Sequence, residues 1–193
     1  MAGKGGVGKT SLAAALVREL ASRGLRTLAV DCDPNPNLAE SFGLDSSTLA
    51  RLEGSGLRRA GETLALERDP EVVELECGAV LLGGPPSDTP LADAVARGIA
   101  GVLLAERFDA VVTDLGAGPE FTEMAVGGLL NPAEVCVVLA NETRVADLTA
   151  ERVELACRRR NVRALRVSVA PGAVATAARS LADRLVSLSG QTM

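Results

Sequence analysis

The chain begins M-A-G-K-G-G-V-G-K-T-S, and Gly3 to Thr10 within it reads G-x-x-x-x-G-K-T. This spacing suits an anion cradle. Glycines let successive backbone N–H groups of Gly3, Gly5, Gly6, Val7 and Gly8 turn toward one point, while a following Lys and Thr serve terminal phosphates and a divalent cation. Lys9, Thr10 and Ser11 are the side chains placed to do so.

Lys4 is not explained by that pattern. Of the 20 basic residues in the 193-residue chain, two are lysine, Lys4 and Lys9, and both lie in this loop. Every other cationic position is arginine. A lysine is a compact charge on a thin stem and reaches a phosphate oxygen where a planar guanidinium does not fit. Both lysines therefore read as chemically required.

Three carboxylates follow at strand ends. D-C-D-P-N-P-N places Asp31 and Asp33 after an apolar run, and V-V-T-D-L-G-A-G places Asp114 likewise. Magnesium takes oxygen ligands and keeps several waters, so Thr10, Asp114 and Asp33 are the candidate metal-shell residues. Asp114 suits the strand-end position that anchors the metal shell, and Asp33, on a loop, suits orientation of an attacking water. Asp31 fits either support of that site or plain turn chemistry.

The elements that must position these groups alternate. Helical spacing runs from Lys9 to Arg23 with Gly24 as a stop, so the loop feeds a helix N-terminus whose partial positive charge adds to the anion site. A strand over Leu25–Asp31 and a brief helix over Leu38–Phe42 follow. Residues 45–68 are polar and poorly periodic. Val72–Cys77 and Ala79–Leu82 read as one bent strand or as two, interrupted at Gly78, and Gly83–Pro86 reads as a turn. A helix is predicted from Thr89-Pro90 to about Ala105, with Pro at its first helical position. Beyond it the pattern predicts strands over Asp109–Asp114 and Glu134–Ala140, a helix over Val145–Arg160, a strand over Val162–Ala170 and a helix over Val174–Ser187. Apolar strands between amphipathic helices predict an α/β three-layer sandwich with a mostly parallel sheet, in one nucleotide-binding domain over residues 1–193. Such a loop normally joins a central strand to a helix, and no strand precedes it here; one of roughly six residues is expected ahead of Met1.

Composition narrows the function classes. With 47% hydrophobic and 23% charged residues the chain is globular, and no apolar run approaches a membrane span. The start lacks a secretory signal, which points to the cytoplasm. Cys32, Cys77, Cys136 and Cys157 are scattered without C-x-C or C-x-x-C, as expected of reduced, mostly buried thiols. A net charge of −5 gives no general attraction to nucleic acid. Arg158–Arg160 with Arg163 and Arg166 fit a helix C-terminus better than a DNA surface, and the last helix, with Leu181, Leu185 and Leu188, fits packing on the sheet better than a membrane tail.

A-G-K-G-G-V-G-K-T-S resembles the deviant Walker A signature K-G-G-x-G-K-[ST] of the ParA/MinD superfamily of P-loop ATPases. D-C-D-P-N-P-N-L-A-E-S-F-G-L is similar to switch I of its CooC-like branch, which matures carbon monoxide dehydrogenase, and V-V-T-D-L-G-A-G-P-E to its switch II. The resemblance runs from Ala2 to about Ala170. It implies a SIMIBI-type fold, ATP with Mg²⁺, and a nucleotide-dependent homodimer. Lys4 would cross the dimer interface to the other subunit's nucleotide, Lys9 would hold the β- and γ-phosphates, and Gly118 would hinge switch II on the γ-phosphate. The implied task is an ATP-driven switch acting on a client protein, with metal-center maturation of a metalloenzyme favoured. A partition or positioning ATPase acting on DNA or a membrane-associated partner is the alternative. The branch's C-x-C is missing: the corresponding stretch is L-L-G-G-P-P-S-D-T-P. The last strand ends S-V-A-P-G, where many relatives supply an adenine-binding asparagine.

Overall fold

The structure is a computed structural model that describes residues 1–33, 37–54, 72–82, 108–116 and 134–189. In chain order its elements are β1 (Ala2–Gly3), α1 (Lys9–Ser22), β2 (Thr27–Cys32), α2 (Leu38–Ser41), α3 (Ser46–Gly54), β3 (Val72–Glu74), β4 (Val80–Leu82), β5 (Ala110–Leu115), β6 (Val135–Leu139), α4 (Arg144–Arg159), β7 (Arg163–Val167) and α5 (Val174–Ser189). The predicted Gly83–Pro86 turn and the predicted helix from Thr89 lie outside the described residues.

The strands hydrogen-bond in the orders β3-β4-β2-β5 and β1-β6-β7, all parallel except β3 against β4. Met1 joins the two groups. Its ammonium donates to the Thr113 carbonyl at 2.6 Å and its carbonyl accepts from Leu115 N at 3.2 Å, while Ala2 and Gly3 pair with Val138 and Leu139. Met1, Ala2 and Gly3 thus act as a strand between β5 and β6, a pairing that local propensity does not reveal.

Alternation sets the layers. Leu28, Val30 and Cys32 of β2 face one apolar cluster with Ala150, Val153 and Cys157 of α4. Ala29 of β2 and Val112 of β5 face the other, with Leu12, Leu16 and Leu20 of α1 and Leu181 of α5. Two buried faces on one mostly parallel sheet make the three-layer α/β sandwich. Helix α5 packs on α1, with Ala13, Ala14, Ala178 and Ala182 buried in one cluster, and Arg23 ties the pair by bonding Asp183 at 2.9 Å.

Two local readings needed the structure. The Val72–Leu82 stretch is two antiparallel strands, because Gly78 turns the chain at φ 81° and Leu75 N bonds the Ala79 carbonyl at 2.8 Å. The aperiodic stretch from Asp45 opens as α3, capped by Asp45, whose carboxylate accepts the Ser47 and Thr48 amides at 2.9 Å. Among the described residues no helix is long and apolar enough to cross a membrane.

The register of β2 against β5 positions the chemistry. At their starts Arg26 grips Asp109, with Nη2 at 2.8 Å from Oδ1 and the backbone N at 2.8 Å from Oδ2, and that ion pair holds the Asp109 carboxyl down at about 2. Pairing then runs residue by residue from Thr27–Ala110 to Asp31–Asp114. A slip of one strand by one residue would turn its carboxylate to the other face and part the pair.

Gly3 is the tightest point of the frame. Its φ is +142°, and a Cβ there would run into the Leu139 carbonyl oxygen, whereas Gly24, at φ +81°, faces open space. Gly3→Ala is expected to cost about 2–4 kcal/mol through both strain and clash, against about 1 kcal/mol for Gly24→Ala. Urea unfolding of the two variants checks the difference.

Candidate functional site

The loop between β1 and α1 takes its shape from glycine. Gly6 and Gly8 have φ of 76° and 86°, where side chains are disfavoured, and Gly8 is the residue from which α1 starts. Among the described residues no side chain caps α1, and its first turn holds no acidic residue, so the first free amides of the helix point toward the loop without a competitor there for an anion. Leu12 N is the first to find an intrahelical partner, the Gly8 carbonyl at 2.9 Å.

Side chains converge on that turn. Lys9 is buried at 6% exposure and its Nζ reaches across the loop to the Lys4 carbonyl at 3.4 Å. Thr10 is half-buried, Ser11 is exposed, and Val7 packs against the α1 cluster. The Lys4 side chain, with Gly5 and Gly6, stands exposed on the outer crest. Two lysines of one loop thus have opposite environments.

Asp114 ends β5 facing α1. It is 1% exposed, and among the described residues neither carboxylate oxygen has a hydrogen-bond partner. Burial pushes its pKa up; the Met1 ammonium, the Thr10 hydroxyl and Lys9 pull it down, none in hydrogen-bond geometry, and Asp33 raises it again. A buried carboxylate without a partner is costly and calls for a cation or a proton. Thr10 beside it completes a hard oxygen donor set that fits magnesium. Among the described residues no three acidic, His or Cys side chains gather into a full cage, so such an ion would also draw on phosphate oxygens and water, as magnesium usually does.

Asp31 lies in register beside Asp114 and is fully buried. Its Oδ1 accepts from Asp33 N at 3.1 Å and its Oδ2 from Leu38 N at 2.9 Å. It therefore holds the first amide of α2 from seven residues away, while Asn37 at the N-cap position makes no side-chain cap bond. The bond to Asp33 N, two residues on, is the turn chemistry open for Asp31, and the bond to Leu38 N extends its hold to the start of α2. Burial and then the neighbouring Asp114 charge push its carboxyl up to about 7, against the pull of the two amides. Asp33 itself is half-buried and lies near enough to raise Asp114. Lys9, Thr10, Asp31, Asp33 and Asp114 are brought together; Gly118 lies outside the described residues.

The raised Asp31 pKa gives a signed expectation. The folded, metal-free protein binds a proton that the unfolded chain has released above about pH 4, so this group's stabilising contribution is full at low pH and declines as pH rises toward 7. Asp31→Asn is expected to flatten the dependence of the unfolding midpoint on pH between about 4 and 7. Denaturation in EDTA across that range checks it.

Residues 1–168 match the family model described as the CobQ/CobB/MinD/ParA nucleotide binding domain, CbiA. The chain is 26% identical over 173 residues to an uncharacterized ATP-binding protein of Methanocaldococcus jannaschii, covering 79% of this chain and 66% of that one. It is 44% identical over 50 residues to the carbon monoxide dehydrogenase accessory protein CooC of Rhodospirillum rubrum, covering 26% of this chain and 19% of that one. It thus spans two thirds or less of these relatives. Among solved structures, the septum site-determining protein MinD of Pyrococcus horikoshii, complexed with Mg-ADP, superposes with a TM-score of 0.65 at 21% identity, over 89% of this chain and 69% of that one. With the glycine loop, the uncapped helix and the strand-end carboxylates in place, the chain belongs to the CobQ/CobB/MinD/ParA nucleotide-binding family of P-loop ATPases.

Proposed function

We propose that residues 1–193 form one nucleotide-binding domain that hydrolyses ATP with Mg²⁺ and works as a nucleotide-dependent homodimer. The observation that carries this reading is Asp114, buried and, among the described residues, without a hydrogen-bond partner beside Thr10 and Lys9 at the start of α1. The loop amides and Lys9 bind the β- and γ-phosphates. Thr10 and Asp114, with Asp33, hold the magnesium shell, and the ion when bound neutralises phosphate charge. Asp33 orients water for attack on the γ-phosphorus. The new oxygen–phosphorus bond forms as the bond to the β,γ-bridging oxygen breaks, and ADP leaves with its charge met by Lys9.

Lys4 is the group that would make the second copy necessary. It sits at the exposed crest while Lys9 lies inside, as suits a lysine meant for a nucleotide across a two-fold interface. The hydrolysis cycle would drive a client protein, and the CooC match favours maturation or metal-center insertion of a metalloenzyme. A partition or positioning role on DNA or a membrane-associated partner is the second reading, drawn from the MinD and ParA members of the family. Against it, Arg166 is engaged with Asp147 and Glu154, and Arg158 lies 4.0 Å from Glu154, which lowers the charge that the arginine cluster offers a phosphate backbone. ATP-dependent co-sedimentation with DNA would favour that reading.

Light scattering with ADP and with a slowly hydrolysed ATP analogue tests the dimer. The wild type is expected to dimerise with the analogue, and Lys4→Ala to remain monomeric with hydrolysis lower by about 10²–10³-fold. A Lys4→Ala protein that dimerises and turns over like the wild type would remove the cross-subunit role.

A further inference from the structure

We propose that Arg18 is a positioning residue for hydrolysis: it clamps α2 onto α1 and thereby holds Asp33 in its working place, acting through α2 and not on the nucleotide. This inference rests on the ATPase reading above, which assigns Asp33 to the attacking water.

Arg18 lies on α1, about two and a half turns beyond Lys9. Its Nη2 donates to the Ser41 carbonyl at 3.0 Å, and its guanidinium carbon lies 5.0 Å from the centroid of the Phe42 ring. Ser41 is the last residue of α2 and Phe42 its C-cap. The guanidinium therefore meets a helix C-terminus, where the dipole favours a cation, and stacks on an aromatic face as arginine does well.

Helix α2 has four residues, too few to hold itself in place, so its position depends on what grips it. Several groups among the described residues grip it, Ala39 and Phe42 packing against the α1 cluster among them. Asp31 holds the Leu38 amide at the head, the Leu38 side chain is fully buried in the α1 cluster, and Arg18 holds the tail. Asp31 also holds the Asp33 amide. Asp33 and Leu38 are thus pinned to β2 by one carboxylate, while α2 is pinned to α1, the helix that begins with Lys9 and Thr10. Losing Arg18 leaves the phosphate site whole and loosens the far end of α2, which then keeps only the apolar packing of Phe42 among the described contacts. Arg18 is exposed, so global stability should change little while the placement of Asp33 should change more.

Three variants, Arg18→Ala, Arg18→Lys and Phe42→Leu, separate this role from a general one. For Arg18→Ala the expected result is a kcat about five- to tenfold lower, with KM for ATP and Kd for Mg·ADP within twofold of the wild type. Arg18→Lys, which keeps a donor for Ser41, should recover part of the loss, and Phe42→Leu should add little to Arg18→Ala in the double variant. Hydrogen exchange supplies a readout apart from turnover: amides from Leu38 to Gly43 should exchange at least tenfold faster in Arg18→Ala, with those of Leu16 to Leu20 unchanged. A kcat within twofold of the wild type, a parallel loss of kcat and ADP affinity, or unaltered exchange in α2 would each overturn the proposal. A wild type that binds nucleotide but never turns it over would instead defeat the ATPase reading, and the kinetic role of Arg18 with it.

Discussion

The site is built around a buried carboxylate that no group among the described residues satisfies. Asp114 ends β5 at 1% exposure with both oxygens unpartnered among the described residues, and Asp31 lies beside it in register on β2, also fully buried. Two carboxylates on adjacent strands in a low-dielectric interior repel, and each is harder to ionise than in water. Asp31 relieves its share by accepting two amides and by a raised pKa. Asp114 accepts no such amide among the described residues, and a divalent cation between it, Thr10 and a bound phosphate is the arrangement that would balance the charge.

The rest of the architecture holds that imbalance in place. Arg26 and Asp109 fix the β2–β5 register at the opposite end of the strands, so the two carboxylates arrive together. Gly3 lets β1 press against the Leu139 carbonyl, which brings the loop and the start of α1 over the same strand ends. Helix α1 is in turn buried against the sheet and α5, with Leu12, Leu16 and Val17 almost fully enclosed, so its uncapped N-terminus is a rigid anion receptor. Burial of Lys9 follows from this packing, and exposure of Lys4 from its place on the crest.

Much of this was legible in the sequence, and the reason differs by element. The loop could be read because its glycines and lysines answer to local geometry and to one chemistry. The strands β2, β5 and β6 could be read because a parallel strand buried on both faces is a continuous apolar run. The strand role of Met1–Gly3 could not, since it comes from tertiary pairing with β5 and β6. Nor could the reach of Asp31 to Leu38 N, because a bond over seven residues depends on how the chain returns to the strand end. Arg18 carries no motif at all; only the fold sets its guanidinium against Ser41 and Phe42. The antiparallel β3–β4 hairpin and the Asp45 cap had signals, at Gly78 and in D-S-S-T, that periodicity alone does not weigh.

Calorimetric titration of ADP into the protein, with and without Mg²⁺, tests the central claim most directly when wild type and Asp114→Asn are compared. The account predicts saturable binding that Mg²⁺ strengthens in the wild type, and near-complete loss of that strengthening in a folded Asp114→Asn protein. Equal Mg²⁺ dependence in the two proteins, or no nucleotide binding by the wild type, would contradict it.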